Sequence, residues 1–516
     1  MKHSKKLASL LLALVMALSL AVTAFADEST TYSITINNST AGHTYEAYQI
    51  FTGDLATNEA GNKVLSNIVW GSGVSEAGQT ALGDAAAKAE TLKTEADAKA
   101  FAKAVAPYLT TAAGSANTVT DGKYVISGLA AGYYLVKDQD GSLIGDNDSY
   151  TEYIIQVVGN VTATPKSDVP EVEKKVKDTN DSTGVTSDWQ DSADYDIGDS
   201  IPFQLKATLA DNVSSYTTYK VVFHDTLSKG LTYNKDAKVY IDGTETNGFT
   251  VTATVNADGT TTLTVSCDDV KALGAGNSSV ITVEYTAKLN ENAVLGSAGN
   301  PNEVYLEYSN NPNKSEEGNN ETGETPKDVV IVFTYKTIIN KVDSETKPLT
   351  GAAFKLEKLI KGEDGAADTW TTVKEFAVDG TTTSFTFSGL DDGQYKLTET
   401  KTPVGYNTID PIYFVIEATH GETADVPTLK TLNAYLTDAN GNKQTEMKDG
   451  ESVNIDLGTV DLTAGSITTT VVNKSGSELP STGGIGTTIF YVLGGVLVLA
   501  AVVLLVTNKR MSGAEK

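Results

Sequence analysis

Two long apolar runs bracket the chain, and short alternating stretches fill what lies between them. At the amino end, Lys2, Lys5 and Lys6 precede an apolar run from Leu7 to Val22 that closes on Ala24-Phe25-Ala26. A basic start, an apolar middle and a small-x-small end predict a secretory signal peptide over residues 1–26. At the other end, Ile489 to Val506 is apolar and Asn508-Lys509-Arg510 follows. A helix needs roughly 20 such residues to cross a bilayer, and basic residues after it stay on the cytoplasmic side. Between these runs the dominant period is two. Tyr32-Ser33-Ile34-Thr35-Ile36 alternates, as do the stretches around Tyr133 to Val136 and Tyr153 to Val158. Val, Ile, Tyr and Thr recur between turn residues throughout, which predicts an all-β protein of the sandwich type. One stretch breaks the rule. Ala85 to Leu109 is rich in Ala, Lys and Glu, with Leu92, Ala96, Ala100 and Val105 at helical spacing. It predicts a helix or helical hairpin inserted in the first β domain and ending near Pro107.

Composition narrows the function. The 516 residues carry a formal net charge of −27, which argues against nucleic acid as a partner. So acidic a chain suits a soluble, self-repelling extracellular object. After the signal peptide the length predicts about three domains of 100–200 residues, each able to bury a core. Cys267 is the single cysteine, so no intramolecular disulfide can form. That is unusual for a secreted protein, and any covalent staple must be of another kind. Catalysis on external substrates has little to work with. Beyond the signal peptide the histidines are His43, His224 and His420, and Cys267 sits in an alternating strand with none beside it. Asp138, Asp140, Asp146 and Asp148 crowd one stretch but lack the spacing of an EF-hand loop, and no motif asks for a metal or a cofactor.

The carboxyl run is preceded by Leu479-Pro480-Ser481-Thr482-Gly483. This order of pentapeptide, apolar span and basic tail resembles the cell-wall sorting signal of Gram-positive surface proteins. The resemblance implies a sortase that cuts between Thr482 and Gly483 and passes the Thr482 acyl group to an amine. Ala163-Thr164-Pro165-Lys166-Ser167 is similar to the pilin motif of sortase-built pili, typically Tyr-Pro-Lys-Asn, with Thr164 and Ser167 in the flanking places. It implies Lys166 as the acceptor amine.

Further resemblances divide the mature chain. Residues 27–166 read as an N-terminal pilin domain. Residues 167–328, with Val172 to Lys177, Phe223-His224-Asp225-Thr226-Leu227 and Asn302 to Pro312, are similar to the fimbrial isopeptide-formation domain of backbone pilins. Residues 329–476 resemble a collagen-adhesin B-type (Cna-B) sandwich through Ile339-Asn340-Lys341-Val342-Asp343, the stretch from Tyr395 to Tyr406, and Thr470-Val471-Val472-Asn473. Residues 477–516 hold the sorting signal. The fold implied is a tandem of immunoglobulin-like sandwiches. These families staple themselves with Lys–Asn isopeptide bonds beside an acid. Burial lowers the pKa of a lysine and raises that of a carboxyl, yielding a neutral amine and a proton donor for the carboxamide. Carried over, Lys341 is the nucleophile, Asn473 the electrophile and Glu399 the acid of the third domain. Lys174, Asn302 and Asp225 take those roles in the second. Only one of Lys174 and Lys175 can face inward, and Lys174 shares its side with Val172 and Val176. Each bond would tie a first strand to a last strand. The implied function is the backbone subunit of a covalent, wall-anchored pilus, with sortase, identical subunits, peptidoglycan and minor pilins as partners. The alternative is a monomeric wall-anchored adhesin of the same modules.

Overall fold

The computed structural model describes residues 30–145, 147–165, 168–316, 318, 320–444, 458–476 and 485–511. The signal peptide, Lys166 and Leu479 to Gly483 lie outside them. The chain forms two compact units. Of the described residues, one takes in those up to Thr179, Thr186–Thr334 and His420–Lys430; the other takes in Asn180–Val185, Tyr335–Thr419 and those from Thr431 onward.

The first unit contains two β domains. In the first, Tyr32–Asn37 pairs with Lys123–Leu129 and, in parallel, with Val161–Ala163. A second sheet runs Lys63–Trp70, Tyr45–Thr57, Gly132–Asp138, Glu152–Val157, with Gly114–Ala116 added beside Tyr45–Thr57. The Tyr45–Thr57 strand is buried on both faces. Tyr45 and Ala47 meet Ile34, Ile36 and Tyr124 on one side, and Tyr48 and Ile50 meet the helices on the other.

The helical insertion is present but starts earlier and is broken into three: α1 (Glu76–Leu82), α2 (Ala85–Thr91) and α3 (Glu95–Val105). Each begins on a side chain that accepts from its first turn, namely Ser75, Asp84 and Thr94, the last in a capping box with Asp97. Those caps are the fresh starts that the apolar period did not register. The buried face also differs from the expected one. Ala96 and Ala100 are exposed, while Phe101, Ala102 and Val105 join Leu92 in the core.

The second domain is a sandwich of two sheets. One runs Thr244–Thr246, Lys238–Ile241, Val280–Leu289, Ser200–Thr208, Glu171–Val176; the other runs Ser192–Asp194, Asp328–Phe333, Asn300–Ser309, Val221–Leu227, Thr261–Cys267, Thr250–Val255. The expected boundary at 328/329 therefore falls inside a strand. Asp328–Phe333 pairs with Asn300–Ser309, so this sandwich runs to Thr334. It follows that Asn302 is not on the domain's last strand, since Thr322–Glu324 and Asp328–Phe333 come after it.

The second unit is another sandwich. One sheet runs Ser384–Leu390, Tyr335–Asp343, Ser466–Asn473, Thr459–Asp461; the other runs Thr369–Glu375, Ala353–Ile360, Gly393–Lys401, Ile412–His420, Leu429–Thr437. Tyr335–Asp343 and Ser466–Asn473 are parallel neighbours. The apolar carboxyl run lies in α4 (Ile485–Met511). Among the described residues no helix is long and apolar enough to cross a membrane, so the crossing rests on the apolar run read in the sequence.

Candidate functional site

Strand alternation determines which polar side chains are forced into the two sandwiches. In Glu171–Val176, Lys174 and Val176 are buried; in Val221–Leu227 the inward side holds Val221, Phe223, Asp225 and Leu227. In Asn300–Ser309 it holds Asn300, Asn302, Val304, Leu306 and Tyr308. Lys174, Asp225 and Asn302 are each 0 % exposed, and the fold brings them together from both sheets. Lys174 and Tyr285 come from one sheet, Asp225 and Asn302 from adjacent strands of the other.

Lys174 Nζ donates to Asp225 Oδ1 at 2.5 Å and to the Tyr285 hydroxyl at 3.2 Å. Tyr285 donates to Asp225 Oδ2 at 2.5 Å and accepts from Asn302 Nδ2 at 2.8 Å. Phe203 and Tyr285 flank the ammonium, each ring centroid 5.6 Å away. Burial pushes the Lys174 ammonium below its ordinary range against the pull of Asp225. It raises the Asp225 carboxyl against the pull of Lys174. Both shifts favour the neutral amine and the neutral acid. Lys175, the other candidate, points away, half-buried, and pairs with Asp191.

In the third domain Tyr335, Thr337, Ile339 and Lys341 share the inward side of one strand, and Ile467, Thr469, Val471 and Asn473 that of its parallel neighbour. Lys341 lies opposite Val471 and Asp343 opposite Asn473, so Lys341 and Asn473 are diagonal on one face. Both are 0 % exposed. Glu399 comes from the opposing sheet and accepts from Asn473 Nδ2 with both oxygens, each at 3.0 Å. The same nitrogen donates to Asn407 O at 3.0 Å. Lys341 Nζ donates to the main-chain oxygens of Val342 and Val471, at 3.1 and 3.0 Å. Burial lowers its pKa to about 8, with Glu399 and Asp343 opposing.

The acids do not sit where sequence reasoning put them. That reasoning makes each acid a proton donor to its asparagine carboxamide. Instead Glu399 holds the carboxamide nitrogen, and Asp225 reaches Asn302 only through Tyr285. Among the described residues Asn302 Oδ1 and Asn473 Oδ1, both buried, have no hydrogen-bond partner. Tyr285 is the residue that sequence reading missed. Its inward place on Val280–Leu289 was legible, but a buried tyrosine in a sandwich ordinarily reads as core. A third buried lysine, Lys358, pairs with two carboxylates, Asp391 and Asp181.

The first domain is different. Among its described residues the buried charged side chains are His43 and Asp138, with no lysine. His43 Nδ1 meets Asp138 Oδ1 at 2.7 Å and Nε2 meets Asp148 Oδ2 at 2.8 Å. Burial alone would lower its pKa; the two carboxylates outweigh that and raise it to about 9. Asp140 is paired with Lys137 and Lys314. These members of the acidic stretch thus have cationic partners in the fold.

The chain matches three family profiles in tandem. Residues 197–312 match the Gram-positive pilin backbone subunit 2, Cna-B-like domain; residues 336–430 match a prealbumin-like fold domain; residues 471–512 match the LPXTG cell wall anchor motif. The three profiles, in this order, are those of a cell-wall-anchored pilin backbone subunit. The chain is 26 % identical over 449 residues to the trypsin-resistant surface T6 protein of Streptococcus pyogenes serotype M6, covering 76 % of this chain and 77 % of the relative. In fold it is similar to the T6 backbone pilin of S. pyogenes, with a TM-score of 0.55 at 19 % identity over 87 % of this chain and all of that one. It is also similar to the full-length major pilin SpaD of Corynebacterium diphtheriae, with a TM-score of 0.50 at 19 % identity over 88 % and 99 %.

Proposed function

We propose that this pilin is polymerised by a sortase through an amide between Thr482 of one subunit and Lys166 of the next. We propose further that Lys174–Asn302 and Lys341–Asn473 isopeptide bonds staple its second and third domains. One observation carries the staples. At two independent places a lysine and an asparagine, both fully buried, lie beside an acid, and each asparagine carbonyl oxygen lacks a partner among the described residues. A buried polar atom left so costs about 1–3 kcal/mol, which a fold retains for a reason. In each reaction the neutral amine attacks the carboxamide carbon, one C–N bond forms, and ammonia leaves. Closing loops this long in the unfolded chain stabilises by about 4–5 kcal/mol in the chain-entropy account. In a fibre the larger gain is mechanical, because tension passes through the bond and not through the fold.

The polymer and the adhesin readings separate in one experiment on the producing cells. Wild-type cell-wall digests should give a high-mass ladder that survives boiling in detergent and reductant. Lys166→Ala should leave a wall-bound monomer, and Thr482→Ala should leave nothing attached to the wall. A wild type that runs only as a monomer would leave the adhesin reading standing.

A further inference from the structure

We infer that Tyr285 is a catalytic residue of the Lys174–Asn302 bond, carrying a proton from the attacking amine to the leaving nitrogen. The inference rests on the cross-link reading above and starts from a difference between the two sites. In the third domain the acid touches the nitrogen that must leave, since both Glu399 oxygens lie 3.0 Å from Asn473 Nδ2. In the second the acid is occupied elsewhere. Asp225 Oδ1 takes Lys174 and Oδ2 takes Tyr285. What touches the leaving nitrogen is the Tyr285 hydroxyl, 2.8 Å from Asn302 Nδ2 and 3.2 Å from Lys174 Nζ. One oxygen bridges nucleophile, acid and leaving group.

The proton balance closes without any outside reagent. Lys174 passes one proton to Asp225, leaving a neutral amine beside a neutral acid. Nζ attacks the Asn302 carboxamide carbon, and the carbonyl electron pair moves onto Oδ1. In the starting amide the Nδ2 lone pair is delocalised, so Nδ2 donates to Tyr285. In the tetrahedral intermediate that nitrogen becomes a basic amine and accepts. The tyrosine hydrogen then turns from Asp225 to Nδ2 while the tyrosine oxygen takes the surplus proton from Nζ. The C–Nδ2 bond breaks, ammonia departs, and the carbonyl re-forms. Tyr285 ends as it began, and Asp225 keeps the first proton, which leaves the site uncharged. An uncharged product suits a site in which Lys174, Asp225 and Asn302 are all 0 % exposed. The phenol never has to ionise, as its position, buried beside Asp225, requires.

The test is a time course on the mature chain, residues 27–482, made by cell-free translation and quenched in acid. Branched peptides are counted by mass spectrometry, with the Lys341–Asn473 branch as a clock inside the same molecule. Tyr285→Phe should slow the Lys174–Asn302 branch by about 100-fold or more, the usual share of a positioned proton donor, and leave the clock unchanged. Its residual rate should fall as pH rises, because solvent must now protonate the leaving nitrogen. Equal rates and an unaltered pH profile in a folded Tyr285→Phe chain would overturn the inference and leave the cross-link intact. Should the phenylalanine variant misfold, a trifluorotyrosine placed at 285 keeps the shape and makes the phenol more acidic. A shifted pH profile is then expected, and an identical one would overturn the role. A wild-type chain with no Lys174–Asn302 branch would overturn the cross-link and Tyr285's part in it together.

Discussion

The second and third domains bury the same three residue types and wire them in opposite ways. In the second, lysine and asparagine come from facing sheets, the acid holds the lysine, and a tyrosine reaches the asparagine. In the third, lysine and asparagine come from parallel neighbours of one sheet, and the acid from the facing sheet holds the asparagine. Lys341 meanwhile rests on two main-chain carbonyls. A bond across the sandwich clamps two layers, whereas a bond between parallel neighbours locks the first strand to the last within one layer. On the proposed cross-link, two topologies meet one demand for lysine, acid and asparagine, provided that something protonates the leaving nitrogen.

The largest expected effect comes from removing the acid that holds a lysine. Asp225→Ala leaves Lys174 fully buried without its counter-charge, a loss of about 3–5 kcal/mol, in addition to the missing cross-link. Calorimetry on the mature chain should show a collapsed transition for this domain, and peptide mapping no Lys174–Asn302 branch. Glu399→Ala should cost less. It too abolishes its branch, but Lys341 keeps its two carbonyls and Asn473 keeps Asn407 O, so about 1–3 kcal/mol is lost beyond the bond itself. If Glu399→Ala proves the more damaging of the two, the contrast in wiring is mistaken.

Much of this arrangement could be read from the sequence, for a physical reason. A period of two assigns inward faces without any knowledge of the partner strand, so Lys174, Asp225, Asn302, Lys341, Glu399 and Asn473 all point into their cores as expected. Which inward groups meet is a matter of register and sheet order, and the period is silent on both. That is why Tyr285 was missed, why Glu399 meets the nitrogen of its carboxamide, and why Asp225 does not touch Asn302 directly. The boundary error has a similar origin. Asp328–Phe333 and Tyr335–Asp343 are separated only by Thr334, so two strands of different sandwiches read as one apolar run. The broken helix is the reverse case, since the local caps Ser75, Asp84 and Thr94 outweigh the apolar spacing.

A smaller effect, and one confined to the third domain, is a dependence of stability on pH. Asn473→Ala removes the electrophile and leaves Lys341 as a free amine. Its pKa is about 8 in the fold, against 10.5 for the ordinary lysine amine of the unfolded chain. Between those values the unfolded chain binds the extra proton, so stability must rise with pH across that window and be lowest below it. The span corresponds to roughly 3 kcal/mol. Denaturant midpoints from pH 7 to 10.5 should therefore climb in Asn473→Ala and, on the proposed Lys341–Asn473 bond, show no such climb in the parent. A flat profile in the variant would mean that Lys341 titrates as an ordinary exposed amine.

The smallest effect separates the two adjacent lysines of the second domain. Lys174 and Lys175 differ by one step along a strand, and that step decides whether the side chain meets Asp225 inside or Asp191 outside. Lys175 is part-exposed, so its pair with Asp191 is worth about 0.5–1 kcal/mol. Lys175→Ala should lower the melting temperature slightly and form the Lys174–Asn302 branch at full yield. Lys174→Ala should remove the branch entirely, and a double variant should look like Lys174→Ala with that small increment added, because the two side chains lie on opposite faces and share no partner. A branch that survives Lys174→Ala and maps to Lys175 would require the Glu171–Val176 strand to shift its register by one residue against Ser200–Thr208. Such a slip would turn Val172 and Val176 outward and Glu173 inward. The fold would then bury a second acid beside Asp225 while exposing two valines, and that cost is what holds Lys174 in place.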